Sequence, residues 1–338
     1  MTETADREAI IAELAGAAPT VLIAAAGRRT SLVRAFVDAT HARRGRTLAG
    51  DVDGLAPALY LADKAIRLLP SDHAQFLDDL VDQVRRRGIT VVVPTIDPDL
   101  PILAAGRASL EAAGARVAVS SASFIATTRD KVRTGTAFGD AGIRTPRTWD
   151  PASGLADLPP EVIVKPRAGS ASKDVHRVRR ADVDRAIQGI SDAMVQELLS
   201  GPEITIDAFL DLNGQPIHYV PRLRIKTIGG ESVEGRTMDH DPELESWIEG
   251  VLRVCSTLGG LGPLTIQSFL TEGGPVLTEV NARFGGGFPL ALAAGGDYPA
   301  WLLDLFAGSS VAPRLGDYEP GLFMTRSHVE HFVRQPLW

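Results

Sequence analysis

Two neighbouring runs in the last third of the chain constrain its fold more than any other feature. Residues 264–270 and 276–281 alternate apolar and polar side chains, and the stretch 272–275 between them contains two glycines. Alternation with a period of two indicates a strand with one buried face, and a short Gly-containing connection indicates a hairpin. The pattern therefore predicts two adjacent antiparallel strands.

The polar side chains of this hairpin have the chemistry of a magnesium site. Glu279 and Asn281 are two residues apart and share one strand face, and Gln267 on the preceding strand can lie beside them. Carboxylate and amide oxygens suit Mg²⁺, which takes further ligands from water and substrate phosphates. Arg283 follows in phase and can meet a phosphate or carboxylate, before the glycines at 285–287. A solvated strand face presents similar residues, so the ordered set as a whole carries this prediction.

Composition excludes several classes of protein. The chain has 338 residues, enough for two or three domains, and a net charge of −7, whereas nucleic-acid binders need a basic surface. The single cysteine, Cys255, allows no disulfide within the chain, which is compatible with a reducing compartment. Residues 1–16 lack the pattern of a signal peptide, and no apolar run reaches the roughly 18 residues of a membrane span. We therefore expect a cytoplasmic protein with neither nucleic acid nor membrane as a partner.

The first third of the chain alternates predicted strands with predicted helices. Such alternation indicates a parallel sheet covered by helices. Gly27 ends the first strand, but the full G-x-G-x-x-G fingerprint of a dinucleotide site is missing. Arg28 and Arg29 follow at the start of a helix, where they can meet a substrate anion or form a solvated basic turn. The predicted strands are 20–26, 48–51, 66–70, 90–94 and 116–119, and the predicted helices include 73–87 and 99–113.

The next part of the chain predicts a hairpin that can cover phosphates. The strand 161–166 contains Lys165 near its end, and 175–178 is a return strand. The small-residue loop 167–174 between them offers free backbone N–H groups and hydroxyls. Lys165 lies beneath this loop and can reach the same phosphates as a point charge. The Walker A pattern is absent, which excludes an ordinary P-loop.

A basic strand precedes the opening hairpin. Arg222, Arg224 and Lys226 alternate, so their side chains share one strand face, which is costly without anions nearby. The stretch 227–241 is polar and Gly-containing and predicts a loop that closes over substrate. No His-x-x-His or Cys-x-x-Cys pattern indicates a zinc site.

These blocks together resemble the ATP-grasp superfamily, most closely the carboxylate–amine ligases that are similar to the carbamoyl-phosphate synthase large subunit. The resemblance covers roughly residues 19–308. It rests on the following ordered blocks: Asp130-Lys131, Lys165-Pro166, Gln196-Glu197 through Glu203, Gln267, and Glu279-x-Asn281-x-Arg283.

The resemblance implies a role for each matching residue. The implied nucleotide-binding residues are Lys131, Lys165, Ser170, Ser172, Gln196, Glu197, Leu198, Leu199 and Glu203. The implied metal ligands are Gln267, Glu279 and Asn281, and the implied catalytic residues are Arg224, Lys226 and Arg283. The implied cofactors are ATP and Mg²⁺, with Mn²⁺ as an alternative metal.

We predict an α/β chain, α+β overall, with the ATP-grasp fold in three domains. Residues 1–119 form a Rossmann-like parallel-sheet domain, 120–193 a small α+β lid, and 194–338 an antiparallel-sheet domain. The last thirty residues carry no recognisable motif.

The predicted function is that of an ATP-dependent ligase. It activates a small-molecule carboxylate as an acyl phosphate, releases ADP and joins the acyl group to a small-molecule amine. A non-catalytic ATP-binding regulatory protein and carbamoyl-phosphate-type synthesis are the alternatives. The family also implies a possible homodimer.

Overall fold

The chain forms three β-sheets, one after another along the sequence. The computed structural model describes residues 18–169, 174–228, 231–327 and 329–338. Within these ranges no helix is both long and apolar enough to cross a membrane. The predicted fold class, a parallel α/β part followed by antiparallel sheets, is confirmed.

The first sheet is parallel. Its elements are β1 (Thr20–Ala24), α1 (Thr30–His41), β2 (Arg46–Asp51), β3 (Lys64–Arg67), α2 (Phe76–Arg87), β4 (Val91–Pro94), α3 (Asp99–Ala105), α4 (Arg107–Ala112) and β5 (Arg116–Val117). The strand order is β3-β2-β1-β4-β5, and every pair is parallel. Strands β1 and β4 are fully buried, as expected for apolar runs at the centre of a parallel sheet.

The predicted helix 99–113 is wrong as a single helix, because Gly106 divides it into α3 and α4. A Cβ at position 106 would overlap the side chain of Leu77 on α2. A Cβ there would displace the end of the Leu77 side chain, and glycine itself weakens a helix interior.

The second sheet is small and antiparallel. Its part of the chain comprises α5 (Ala122–Thr128), α6 (Lys131–Asp140), β6 (Thr148–Trp149), β7 (Glu161–Pro166), β8 (His176–Arg179), α7 (Val183–Gln188) and β9 (Ala193–Glu197). The strand order is β6-β9-β7-β8. The sheet has its own apolar cluster, which includes Trp149, Val162, Val164 and Val195.

The third sheet has six antiparallel strands in the order β14-β13-β10-β11-β12-β15. Its part of the chain comprises β10 (Glu203–Leu210), β11 (Pro216–Ile228), β12 (Glu231–Thr237), α8 (Pro242–Thr257), β13 (Gly262–Thr271), β14 (Gly274–Asn281), α9 (Phe288–Ala293), α10 (Tyr298–Phe306) and β15 (Phe323–Thr325). The two strands predicted from alternation are β13 and β14, and they pair as expected.

The prediction of a loop over 227–241 is wrong for most of that stretch. Residues Glu231–Thr237 form β12, which pairs with β11 and with β15. An antiparallel strand can leave one face to solvent, so a polar sequence does not exclude a strand. Of the described residues in this stretch, those after Thr237 remain outside the sheet.

The first and third sheets share one large apolar core. It runs without interruption from Val21 and Phe36 to Phe284 and Tyr298. The rings of Phe36 and Phe284 meet edge to face, with centroids 5.7 Å apart. This shared core fixes the carboxyl edge of the parallel sheet relative to the end of β14.

Candidate active site

A cavity of about 300 Å³ lies where the second sheet faces the third. Its lining contains both charged groups and apolar side chains. The lining residues are Lys131, Ile163, Lys165, Pro166, Ala168, Gly169, Val175, Glu197, Leu198, Leu199, Glu203, Gln267, Phe269, Thr278 and Glu279. Eight predicted site residues are therefore brought together around one space, although they come from distant parts of the chain.

Two lysines form the basic part of this cavity. Lys165 lies near the end of β7, and Lys131 is the first residue of α6. The Lys131 Nζ donates to the Gly169 carbonyl at 2.9 Å, which ties the helix to the loop after β7. Burial, together with the nearby charge of Lys131, lowers the pKa of Lys165 to about 8, against the attraction of Glu279 and Glu203. A negatively charged ligand beside Lys165 would strongly favour the charged form of this lysine.

The start of α6 is fixed by Asp130. Its side chain accepts from the backbone N–H groups of Val132 and Arg133 and so caps the helix. The same carboxylate accepts from Arg167 at 2.9 Å and 2.8 Å, and the Lys131 N–H donates to the Arg167 carbonyl. This network explains why an Asp precedes the lysine, because Asp130 positions Lys131 beside the loop.

Two of the three predicted metal ligands, Gln267 and Glu279, line the cavity, whereas Asn281 is outside its lining. Gln267 and Glu279 are direct partners across β13 and β14, and a bulge follows Gln267. Asn281 is further along β14, opposite Thr265, and is buried. The described residues contain no cluster of three or more His, Cys, Asp or Glu side chains arranged to hold a metal. A set with one carboxylate and two amides instead fits Mg²⁺ that shares its other ligands with phosphate.

The apolar end of the cavity is a slot between the two sheets. Ile163, Leu198, Leu199 and Phe269 line it. Gly201 follows Leu198 and Leu199 in the chain. A Cβ at Gly201 would overlap the carbonyl of Leu270, and its φ is +127°. Only glycine allows so close an approach at that backbone conformation. A slot of this size and polarity suits a flat aromatic base.

Two protein-family models match parts of the chain. A description named PylC-like, N-terminal domain, matches residues 21–118. A description named ATP-grasp in the biosynthetic pathway with Ter operon matches residues 190–326. The second match covers the strands that hold Glu203, Gln267 and Glu279 at the cavity.

Residues 190–326 of the chain belong to the ATP-grasp superfamily.

Solved structures share the ATP-grasp fold over most of the chain. The biotin carboxylase domain of the Hydrogenobacter thermophilus 2-oxoglutarate carboxylase, a complex with MgADP, ADP and bicarbonate, matches with a TM-score of 0.74. It is 17% identical, and the match covers 90% of this chain and 73% of that one. An L-amino acid ligase from Bacillus licheniformis matches with a TM-score of 0.67 and 18% identity, over 85% and 74% of the two chains.

A curated relative matches part of the chain. A D-alanine–D-alanine ligase from Maridesulfovibrio salexigens is 28% identical over 178 residues. The match covers 46% of this chain and 57% of that protein. It therefore supports the family, while the activity of the whole protein is a separate question.

Some predicted residues of the ATP-grasp site lie outside the cavity lining. Gln196 is buried and its side-chain amide donates to Thr148 Oγ1 at 3.1 Å, on the side of β6. Lys226 is on the exposed part of β11, 3.6 Å from Glu234. Ser170 and Ser172 fall outside the described residues. Their roles stay predictions.

The predicted catalytic arginines are held by carboxylates. Arg283 makes a bidentate pair with Asp97, with Nε–Oδ1 at 3.0 Å and Nη2–Oδ2 at 2.7 Å. Its Nη2 also lies 3.4 Å from the Asn281 side-chain oxygen. Arg224 donates to Glu203, the predicted ribose ligand. The two predicted catalytic arginines thus already have carboxylate partners.

Sequence reasoning missed the partners of these arginines. Asp97 follows β4 at the carboxyl edge of the parallel sheet, about 190 residues before Arg283 in the sequence. Its position after a buried strand is the one signal that could have indicated a site residue. Nothing in the local sequence indicates which cation it meets.

A second missed pair lies beneath the triple glycine. Arg222 Nε donates to Asp207 Oδ2 at 2.7 Å, and both side chains are almost completely buried. A Cβ at Gly287 would overlap the guanidinium of Arg222, and a Cβ at Gly285 would lie 3.0 Å from Asp207 Oδ1. The glycines are therefore needed because backbone crosses directly over a buried ion pair.

Proposed function

We propose that this protein is an ATP-dependent carboxylate–amine ligase of the ADP-forming EC 6.3 type. It transfers the γ-phosphoryl group of ATP to a small-molecule carboxylate and releases ADP. A small-molecule amine then attacks the acyl phosphate, phosphate leaves, and an amide bond forms. The names of two similar proteins, D-alanine–D-alanine ligase and L-amino acid ligase, agree with this reaction class.

One observation carries the proposal. Lys131 and Lys165 face Gln267 and Glu279 across one cavity, and an apolar slot adjoins them. A triphosphate with its base in the slot would meet the lysines on one side and the predicted metal ligands on the other. Positioning and charge neutralisation of this kind account for most of the catalysis of phosphoryl transfer.

Each residue of the proposed site has its own role. The ammonium groups of Lys165 and Lys131 neutralise phosphate charge, and Asp130 keeps the start of α6 in place. Gln267, Glu279 and Asn281 would hold Mg²⁺, which supplies further charge neutralisation at the phosphates when bound. Leu198 and Leu199 would enclose the adenine, and Glu203 would accept from the ribose hydroxyls.

The test is an ADP-release screen with Mg²⁺, in which amino acids and other small carboxylates are paired with amines. We expect ADP and phosphate to form in the presence of one carboxylate class. Glu279→Ala should lower the rate about 10²–10³-fold, as expected when a preorganised electrostatic contact is lost. Glu272→Ala, which removes an exposed carboxylate from the same hairpin, is the matched control.

Three other outcomes would decide against the ligase. Tight ATP binding without ADP formation across the panel would favour the non-catalytic regulatory protein. Phosphorylation of bicarbonate and carbamate would favour carbamoyl-phosphate-type synthesis. Full turnover by Glu279→Ala would show that the site lies elsewhere.

A further inference from the structure

The end of the chain carries no sequence motif, yet the structure docks it at a definite place. Residues 329–338, the C-terminal segment, contact the loop 52–60 after β2. The Leu337 N–H donates to the Gly54 carbonyl at 3.3 Å, and the Trp338 indole N–H donates to the Val52 carbonyl at 3.1 Å. The rings of His331 and Tyr60 stack with centroids 6.4 Å apart.

Gly54 is the centre of this contact. A Cβ at position 54 would lie 2.9 Å from the Trp338 carbonyl oxygen and 3.0 Å from the Trp338 nitrogen. The Tyr60 hydroxyl also donates to the Gly54 carbonyl at 2.7 Å. The docked segment, rather than an unusual backbone angle, is therefore what makes glycine necessary here.

The docking place adjoins the substrate side of the molecule. The loop 52–60 follows the carboxyl end of β2, and ligands of open parallel sheets bind at that edge. Ala58 N–H donates to the Gly27 carbonyl at 3.1 Å, and Gly27 N–H donates to Asp51 Oδ2 at 2.7 Å. The loop thus lies against the turn that carries Arg28 and Arg29.

The chain just before the segment reaches the other side of the same region. The Arg326 guanidinium donates to the Gly286 carbonyl, within the triple glycine that follows Arg283. Its backbone N–H donates to the Val233 carbonyl on β12 at 3.0 Å. The last part of the chain therefore connects the third sheet, beside Arg283, with the edge of the first sheet.

The segment is held by local contacts and not by a core. Phe332 is 94% exposed, Val329 70% and Val333 42%. Few buried apolar contacts and a small number of hydrogen bonds are the marks of an element that opens at low free-energy cost. None of the segment's residues lines the cavity assigned to the nucleotide.

We propose that residues 329–338 form the outer wall of the pocket for the substrate that is not the nucleotide. Docking at Gly54 then sets the affinity for that carboxylate or amine and leaves the affinity for ATP unchanged. This inference rests on the proposed ligase function, since it assigns a residue range to the second substrate of that reaction.

The experiment compares Gly54→Ala with the full-length parent. Gly250→Ala is the matched control. Gly250 lies in α8, and a Cβ there would meet only ordinary contacts, at 3.7 Å. Trypsin cleavage after Arg334, which is exposed, reports docking without any substrate. Steady-state ADP release then gives the KM for ATP and the KM for the substrate found in the screen.

We expect Gly54→Ala to be cleaved faster after Arg334 and to raise the KM for the second substrate about tenfold, with kcat and the KM for ATP unchanged, as when uniform binding is lost. Trp338→Ala should act in the same direction and less strongly. Gly250→Ala should match the parent in both measurements.

Unchanged cleavage of Gly54→Ala would overturn the docking contact. Faster cleavage with an unchanged second-substrate KM, or with an equal rise in the KM for ATP, would overturn the assignment to the substrate pocket. If the parent forms no ADP with any substrate, the proposed function fails and this assignment fails with it, whereas the cleavage result still decides the docking.

Discussion

The charged residues of the cavity between the second and third sheets are paired differently from those around the triple glycine 285–287. In the cavity, Lys131, Lys165 and Glu279 converge on open space, and the pKa of Lys165 is lowered to about 8 by burial and by Lys131. At the end of β14 and beneath the triple glycine, Arg283 and Arg222 are already paired with Asp97 and Asp207.

The difference separates two uses of charge. The cavity is lined by two lysines and by Glu197, Glu203 and Glu279, so a polyanion would meet the lysines and a divalent cation would meet the carboxylates. A paired arginine instead fixes one part of the fold to another, and an anionic substrate must compete with the existing carboxylate. The comparison predicts that substitutions in the two regions will affect different measurable quantities.

The largest expected effect is on stability, at the buried pair. Asp207→Ala leaves the Arg222 guanidinium buried without its carboxylate, and we expect a loss of about 3–5 kcal/mol in the free energy of unfolding. Denaturant unfolding of the variant and parent measures it. Glu272→Ala, which removes an exposed acid from the hairpin of the same sheet, is the control for loss of a carboxylate. A loss below about 1 kcal/mol would contradict the structural role assigned to this pair.

The next effect is on catalysis, at the cavity. Lys165→Met keeps much of the side-chain volume and removes the charge, so we expect kcat/KM for ATP to fall about 10²–10³-fold. Stability should be unchanged or slightly higher, because the lysine is partly desolvated in the free protein. ADP release and thermal unfolding of the same sample separate the two. A Lys165→Met variant that loses stability but keeps its ATP turnover would contradict the comparison.

A smaller effect concerns pH. Because the folded-state pKa of Lys165 is about 8, the side chain is protonated below that pH and loses its charge above it. We expect the KM for ATP to rise by up to about tenfold per pH unit above the pKa. Lys165→Arg, which stays charged, should flatten this part of the profile. A parent profile that stays flat through this range would show that Lys165 does not meet the phosphates.

The smallest effect is expected at the paired arginine. Asp97→Asn removes the charge that competes for Arg283 and keeps a hydrogen-bond acceptor. We expect the KM for the carboxylate substrate to fall about threefold, a change of less than 1.4 kcal/mol, while the KM for ATP stays constant. A rise in the carboxylate KM would instead mean that Asp97 holds Arg283 in the productive position.

Much of the cavity could be predicted because its signals are local. Glu279 and Gln267 were placed by alternation within two short strands, and their direct pairing follows from that alternation and a tight turn. Lys131 and Lys165 were identified from family resemblance at a helix start and a strand end. Such positions depend on neighbours within a few residues, which a sequence displays.

The two errors have different physical causes. The sequence predicts a loop over 227–241, but β11 offers residues 231–237 backbone partners. There a contact with a separate element outweighs the local propensity. The sequence also predicts one helix over 99–113, but the helix is divided at Gly106, and glycine weakens a helix interior.

By itself, the sequence determined the class of fold and the hairpin with Gln267 and Glu279, because strand periodicity and turn chemistry act over short distances. The two lysines were identified through the resemblance of their motifs to the family. Only the tertiary structure decided that Arg283 meets Asp97, that Arg222 meets Asp207 beneath the glycines, and that the end of the chain docks at Gly54. Those contacts join residues far apart in the chain, and they form only when the first and third sheets pack on one shared core.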